Sequence, residues 1–170
     1  MFLSVQELQL RKVRFQETFR PGVIEYLDDR LRQATPLEVG GTVELSPATM
    51  EIRVRGHLSV RLEADCDRCL ETAGFPVETD FDLVYRPMSR TLADDVILAE
   101  DESEVGFYQG GGLELLDLLR EQVVLALPMQ RVCREDCQGI CPVCGQNRNL
   151  AACDCHPHLA DDRWAGLRTL

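Results

Sequence analysis

Hydrophobic and polar residues alternate along several stretches of this chain, and a period of two marks a strand with one face in a core and one in water. The longest such stretch runs from Glu51 to Asp65. Ile52, Val54, Gly56, Leu58, Val60, Leu62 and Ala64 fill one phase, and Glu51, Arg53, Arg55, His57, Ser59, Arg61, Glu63 and Asp65 fill the other. The stretch is long for one strand, so Gly56 is expected to mark a bulge or bend. A second alternation, through Phe75, Val77, Thr79, Phe81, Leu83 and Tyr85, predicts its partner. Cys66 to Cys69 then reads as the turn of an antiparallel hairpin. Val13, Phe15 and Phe19 predict an earlier strand within residues 11–19, and residues 42–46 predict another.

Helical spacing occurs twice. Pro21-Gly22 opens a short pattern from Val23 to Leu31, with Val23, Leu27 and Leu31 on one side. Residues 113–127 read as a longer helix whose inner stripe is Leu116, Leu119, Val123 and Leu127, stopped by Pro128. The intervening residues 87–112 include Asp94, Asp95, Glu100, Asp101, Glu102 and Glu104 and end in Gly110-Gly111-Gly112. They read as a mobile connection with room for one short strand. The glycines are taken as a linker, because no strand-to-helix Gly-x-Gly-x-x-Gly pattern accompanies them.

These elements predict an α+β fold: a twisted antiparallel β-sheet with packing helices and a cysteine-rich, zinc-binding C-terminal region. Residues 1–130 would form the core domain, with residues 131–170 as a zinc-knuckle region packed on it. A length of 170 residues, 45% of them hydrophobic, suits one domain with a small appendage. Aromatic residues are only 6%, so the core is expected to be aliphatic. No apolar run approaches the roughly 20 residues that span a bilayer. The start, MFLSVQELQLRKVRF, lacks the basic, apolar and small-residue blocks of a secretion signal. A cytoplasmic location is expected, with no membrane partner.

Eight cysteines in a reducing compartment are better read as metal ligands than as four disulfides. They come in short pairs: Cys66-x2-Cys69, Cys133-x3-Cys137, Cys141-x2-Cys144 and Cys153-x-Cys155. Four pairs supply two tetrahedral tetrathiolate sites with none left over. Cys141-Pro142-Val143-Cys144-Gly145 has the form of a zinc knuckle, and Cys153 and Cys155 complete its set. Cys66, Cys69, Cys133 and Cys137 would make the second site. A split ribbon joining Cys66 and Cys69 to Cys141 and Cys144 is the other pairing, and an iron–sulfur cluster the other occupant. His156 and His158 are spare donors beside Pro157. A closed four-thiolate shell leaves no open position for substrate, so structural zinc, two ions per chain, is the expected cofactor. Asp65, Asp67 and Glu71 around the first pair oppose thiolate formation and weigh against a redox motif.

Charge is uneven. The formal net charge is −11, and residues 93–130 hold one basic and nine acidic side chains. Such acidity disfavours nucleic acid as a partner, whose affinity comes from cations meeting phosphates. The acidic stretch can chelate Mg²⁺ or bind a basic protein, although a solvated loop is the simpler reading. One local exception stands out. Arg53, Arg55 and Arg61 share the polar face of the long strand with His57, and Arg68 lies beyond, so they can line up on an RNA backbone. The competing reading pairs them across strands with Glu78, Asp80 and Asp82. No phosphate-binding loop, serine elbow or metalloprotease helix is present, and no catalytic residue or small-molecule substrate is expected.

Cys66-Asp67-Arg68-Cys69-Leu70-Glu71 resembles the C-x-R-C-L-E motif of the YceD family, the large ribosomal RNA subunit accumulation proteins. Residues 117–128, ending Leu125-Ala126-Leu127-Pro128, resemble that family's acidic–aliphatic helix. The run from Cys133 through Cys137-Gln138-Gly139-Ile140-Cys141-Pro142-Val143-Cys144-Gly145-Gln146-Asn147-Arg148-Asn149 is similar to its C-x3-C-x-G-L-C-P-x-C-G-x-N-x-N signature, and Asp161 to Leu167 to its D-x-R-W-x-x-L ending. Ile140 replaces a usual Leu, and Arg148 stands where Leu is frequent. The resemblance covers the chain from about residue 10 onward. It implies a non-enzymatic role in synthesis, processing or accumulation of large-subunit (23S) ribosomal RNA. The partner would be precursor ribosomal RNA, a ribosomal protein or a processing factor. A protein–protein adaptor that touches no RNA, or a thiol or metal redox-sensing switch, are the alternatives.

Overall fold

A computed structural model describes residues 1–26, 28–88 and 105–155. The elements in chain order are β1 (Phe2–Ser4), α1 (Val5–Leu10), β2 (Val13–Phe19), β3 (Arg32–Gln33), β4 (Leu37–Leu45), β5 (Ile52–Asp65), β6 (Thr72–Pro87), β7 (Val105–Tyr108), β8 (Gly112–Glu114) and α2 (Leu115–Ala126). They divide into two compact units. The first holds Met1–Ala64 and Gly74–Met129; the second holds Asp65–Ala73 and the chain from Gln130 on.

In the first unit the sheet order is β2-β4-β5-β6-β7, with β3 beside β5. β5 keeps the expected alternation: Ile52, Val54, Leu58, Val60, Leu62 and Ala64 are buried, while Arg53, Arg55, His57 and Arg61 are exposed. Phe75, Val77 and Phe81 do the same on β6. The buried faces of β4 (Leu37, Val39, Val43) and β2 (Phe15) complete an aliphatic-rich core. The polar residues on the other face are left to water, the half-covered pattern of antiparallel sheets.

Five sequence expectations change. The sheet is mixed, because β7 pairs with β6 in parallel, Val84 opposite Val105 and Pro87 opposite Tyr108. Parallel strands cannot be joined by a tight turn, and β6 and β7 are well separated in sequence, Pro87 from Val105. Gly56 marks no bulge toward β4: the register runs unbroken from Glu38 opposite Ser59 to Leu45 opposite Ile52. Gly56 is instead a close approach, since a Cβ there would lie 2.6 Å from the Phe81 ring and 2.7 Å from the Gly40 carbonyl.

Residues 23–26 and 28–31 form turns and bends, with no helix. Gly22 sits at φ +88°, and Asp28 Oδ1 accepts the Arg30 N–H at 3.0 Å, a local turn that competes with helix. A single short helix also carries an unfavourable nucleation cost that few bonds repay. Ile24 is buried there while Val23 is half exposed.

Gly110-Gly111-Gly112 is a tight turn. Gly110 and Gly111 take φ +68° and +87°, which glycine adopts without steric cost. Gly112 starts β8, packed so closely on β1 that a side chain would strike the Leu3 carbonyl. The acidic residues 94–104 lie outside the described residues.

Finally, α2 is rotated from its expected stripe: Leu115, Leu118, Leu119 and Val123 are buried, Leu116 is half-buried, and Leu127 follows the helix as its C-cap. Val124 and Leu125 face outward. With Phe2, Phe107 and Glu121 they line a groove of about 640 Å³. No helix among the described residues is long and apolar enough to cross a membrane.

Candidate metal centres

All eight cysteines belong to the second unit, and they gather into two groups of four. Cys66, Cys69, Cys133 and Cys137 form the inner group; Cys141, Cys144, Cys153 and Cys155 form the outer one. Within each, all Sγ atoms lie within 4.8 Å of one another. The grouping sets Cys66 and Cys69 with Cys133 and Cys137, rather than in a split ribbon with Cys141 and Cys144.

Spacing between sulfurs tests the fit to a metal. Metal–thiolate bonds of about 2.3 Å in a tetrahedron give sulfur–sulfur edges of about 3.8 Å. Cys66 and Cys137 Sγ are 3.9 Å apart, and Cys69 and Cys133 Sγ are 3.7 Å apart. A disulfide would require about 2.05 Å, and all eight thiols are free. The inner group is the drier: Cys66, Cys69 and Cys137 are buried and Cys133 exposed. In the outer group only Cys141 is buried.

Two knuckles of the same design aim these sulfurs. In the first, Cys66 N–H donates to the Glu71 carbonyl and Leu70 N–H to the Cys66 carbonyl, both at 2.9 Å. In the second, Cys141 N–H donates to the Gln146 carbonyl at 2.8 Å and Gly145 N–H to the Cys141 carbonyl at 2.9 Å. Each turn needs a left-handed residue after its second cysteine. Gly145 takes that conformation freely at φ +75°, whereas Leu70 holds it at φ +63° despite its Cβ.

The other residues of the first motif reach across the loop. Asp67 N–H donates to the Arg131 carbonyl and Asp67 Oδ2 accepts the Arg131 N–H, both at 2.7 Å. Arg68 donates its guanidinium to the carbonyls of Glu135 and Cys137, each at 3.2 Å. The Arg68 carbonyl accepts the Ile140 N–H at 2.9 Å. Glu71 accepts Asn147 Nδ2 at 3.3 Å. Every polar side chain of Cys66-Asp67-Arg68-Cys69-Leu70-Glu71 therefore ties residues 65–73 to residues 131–147.

Within each group the thiols differ in how readily they ionise. Burial opposes ionisation of Cys66, but backbone N–H groups of Cys69, Cys133 and Arg68 outweigh it and bring this thiol down to about 6. Cys141 comes down to about 6 as well, held by the N–H groups of Cys144 and Val143. Burial and the neighbouring thiols push Cys133 up to about 12, and contact with Cys144, then burial, pushes Cys155 up to about 12. Burial opposes ionisation of Cys137 too, but the Asn149 amide and the Gly139 N–H outweigh it and bring this thiol down, so each group mixes thiols that ionise readily with thiols that resist. A bound cation supplies the charge that lets all four ionise. These residues can hold a metal in a closed shell.

The arginines sort differently. Arg53 makes a two-pronged bond to Asp82 at 2.7 and 2.6 Å. Arg55 lies 3.4 Å from both Glu44 and Asp82. His57 meets Asp80 at 2.9 Å. Arg61 lies along the backbone at Gly74 and forms no ion pair among the described residues. Arg68 serves the inner group as described. His156 and His158 fall outside the described residues.

Sequence reading quoted Asn147 and Asn149 in the signature but gave neither a role at the inner group. Asn149 donates Nδ2–H to Cys137 Sγ at 3.3 Å, and Asn147 bridges Asn149 and Glu71. The available signal was their place as the two asparagines that end the quoted C-G-x-N-x-N signature, between Cys144 and Cys153.

Comparison with known proteins matches the family model for large ribosomal RNA subunit accumulation protein YceD to residues 54–170. An uncharacterized protein of Mycobacterium tuberculosis is 34% identical over 118 residues, covering 68% of this chain and 54% of the relative. One from Mycobacterium leprae is 28% identical over 115 residues, covering 67% of this chain and 50% of the relative. The Arabidopsis thaliana large ribosomal RNA subunit accumulation protein YCED homolog 1, chloroplastic, is 21% identical over 165 residues, covering 80% and 49%. The chain spans about half the length of the curated relatives it matches. No solved structure matches. With the family match extending over more than half of the chain and taking in both cysteine groups, this protein belongs to the YceD family.

Proposed function

We propose that this protein is a non-catalytic factor in the accumulation of large-subunit ribosomal RNA, with two structural zinc ions bracing its second unit. The observation that carries the reading is the family match over residues 54–170, which contains every cysteine of both groups. Zinc is the occupant favoured by all-thiolate ligand sets with tetrahedral edge lengths and no open position. The protein would act in the cytoplasm by contacting precursor ribosomal RNA, a ribosomal protein or a processing factor. If RNA is the ligand, Arg53, Arg55, Arg61 and Arg68 are the phosphate contacts to test, although Arg53 and Arg55 must first leave Asp82 and Glu44.

Depleting the protein in its own organism tests the role. Large-subunit ribosomal RNA should fall relative to small-subunit RNA, and recover with the wild-type chain but not with Cys66→Ser or Cys141→Ser. An unchanged ratio on depletion overturns the assignment. Elemental analysis should find two zinc ions per chain. Substituting Arg53, Arg55 and Arg61 by Ala should reduce RNA crosslinking if the sheet face meets phosphates.

The second reading is an adaptor that makes no RNA contact. The groove of the first unit favours it: Phe107 and Leu125 are 40% and 69% exposed there, beside Glu121. An apolar groove with a carboxylate suits a polypeptide better than a phosphate backbone. Crosslinking from Leu125 to protein, with no RNA crosslink anywhere on the chain, would favour this reading over the first.

A further inference from the structure

The pair Asn147 and Asn149 has a position that the metal reading leaves unused. Both lie in the eight residues between Cys144 and Cys153, so the chain that closes the outer group must carry them. Asn149 nevertheless spends its side chain on the inner group. Its Oδ1 accepts the Gln138 N–H at 2.8 Å and Arg134 Nη2 at 2.9 Å. Two donors on that atom fix the orientation of the amide, so the Nδ2 end faces sulfur. Nδ2–H reaches Cys137 Sγ at 3.3 Å and Asn147 Oδ1 at 2.9 Å. Asn147 Oδ1 also accepts the Asn149 N–H at 3.0 Å, which shapes the loop. Arg148 N–H donates to the Gly139 carbonyl at 2.9 Å, pinning the loop beside the turn that follows Cys137.

We propose that Asn149 is a positioning residue through which the outer cysteine group controls metal binding by the inner one. The inference rests on the metal reading above. Gathering Cys153 and Cys155 onto Cys141 and Cys144 closes the loop between them. Closure holds Asn149 where its amide N–H meets the Cys137 sulfur. The donated N–H fixes the direction in which the Cys137 sulfur presents its remaining lone pairs, so the inner group is already shaped for a cation once the outer group is closed. With the outer group open, ordering of the loop opposes binding at the inner group. The two sites are therefore coupled, and by linkage the coupling is reciprocal.

The test is a double-mutant cycle on the full chain, stripped of metal under reductant and titrated with Co²⁺ against a competing chelator. The sulfur-to-metal charge-transfer band reports each tetrathiolate. Cys153→Ser with Cys155→Ser disables the outer site and should weaken the remaining inner site by about tenfold or more, in the range seen when an outer-shell partner of a metal ligand is lost. Asn149→Ala alone should weaken inner-site binding by a similar factor. Added to the outer-site variant, it should cost little further, because that variant has already released the amide.

Asn149→Asp separates positioning from loop support. It keeps an oxygen for Gln138 and Arg134 but replaces the donor to sulfur with an anion, so it should weaken inner-site Co²⁺ binding at least as much as Ala and shift the charge-transfer band. Unchanged affinity and an unchanged band in Asn149→Asp overturn the proposal. So do fully multiplicative effects in the cycle. A wild-type chain that takes up no Co²⁺ overturns the metal reading together with the inference, whereas uptake indifferent to Asn149 overturns the inference alone.

Discussion

If the two cysteine groups hold zinc as proposed, its removal should unfold the second unit and leave the first. Among the described residues of the second unit the buried apolar ones are Cys66, Cys69, Cys137 and Cys141, and their buried cluster is three of those thiols with Val132 against them. Its larger apolar side chains face water: Leu70 is 62% exposed, Val143 58% and Leu150 77%. Full burial of a Val- or Leu-sized group contributes about 1.5–3 kcal/mol, and a cysteine is smaller, so the apolar contribution of these described residues is about a few kcal/mol. A structural zinc site contributes about 10–16 kcal/mol. The metal term dominates, and its loss should release the fold of this unit. The first unit keeps Leu37, Val43, Ile52, Val54, Leu58 and Leu62 at 0% exposure and needs no metal.

The assay is hydrogen exchange read by mass spectrometry on the zinc-loaded full chain, before and after excess chelator under reductant. Peptides covering the amides of Leu70, Ile140 and Gly145, each bonded within the second unit, should lose at least about a thousandfold of protection, which corresponds to about 4 kcal/mol. Amides of β4 and β5 should keep theirs. Protection persisting at Leu70 and Gly145, once elemental analysis shows no metal and eight thiols titrate, would refute the reasoning. Loss of protection in β5 to the same extent would refute the independence of the two units.

Leu70→Gly relieves a left-handed conformation that costs a residue with a Cβ about 1–2 kcal/mol. Added chain entropy offsets part of that gain, so chemical denaturation should show a change from neutral to about 1 kcal/mol stabilising, and Leu70→Val should destabilise. Gly56→Val drives a side chain into the Phe81 ring and the Gly40 carbonyl, and should cost about 1–3 kcal/mol or more in thermal melts of the first unit. The Arg53 guanidinium holds Asp82 below the usual carboxylate range. A depressed folded value means the pair stabilises at neutral pH and is lost as pH falls through that value. Melting temperature should therefore drop on acidification below about pH 4, the ordinary Asp range, and Asp82→Asn should flatten that dependence without altering metal content.

Local rules were enough wherever one residue's environment repeats along the chain. β5 and β6 could be read from alternation because each strand buries one face, so Ile52 to Ala64 and Phe75 to Phe81 announce themselves. The cysteine pairs were legible because a knuckle is a local turn. The failures share a physical origin. Val23 to Leu31 has helical spacing, yet a short segment follows local turn bonds and the burial of Ile24 and Leu31. The α2 stripe was misjudged by a fraction of a turn, since Leu113, Leu115, Leu116, Leu118 and Leu119 offer several equivalent faces and only neighbours choose among them. Glycines 110–112 carry no spacing signal that separates a linker from a turn.

By itself, then, the order of residues determined that this chain has a long half-buried hairpin, a helix ahead of the C-terminal cysteines, and thiols enough for two closed shells. Those follow from periodicity and from coordination chemistry, both of which act over a few residues. Tertiary structure alone decided that β7 joins β6 in parallel, that Arg53 and Arg55 face acids, and that Cys66 and Cys69 meet Cys133 and Cys137. It also decided that an amide at residue 149 is given to a sulfur of the other group. Such pairings join residues far apart in sequence, and they are settled by which distant donors and acceptors remain unsatisfied once the local elements have formed.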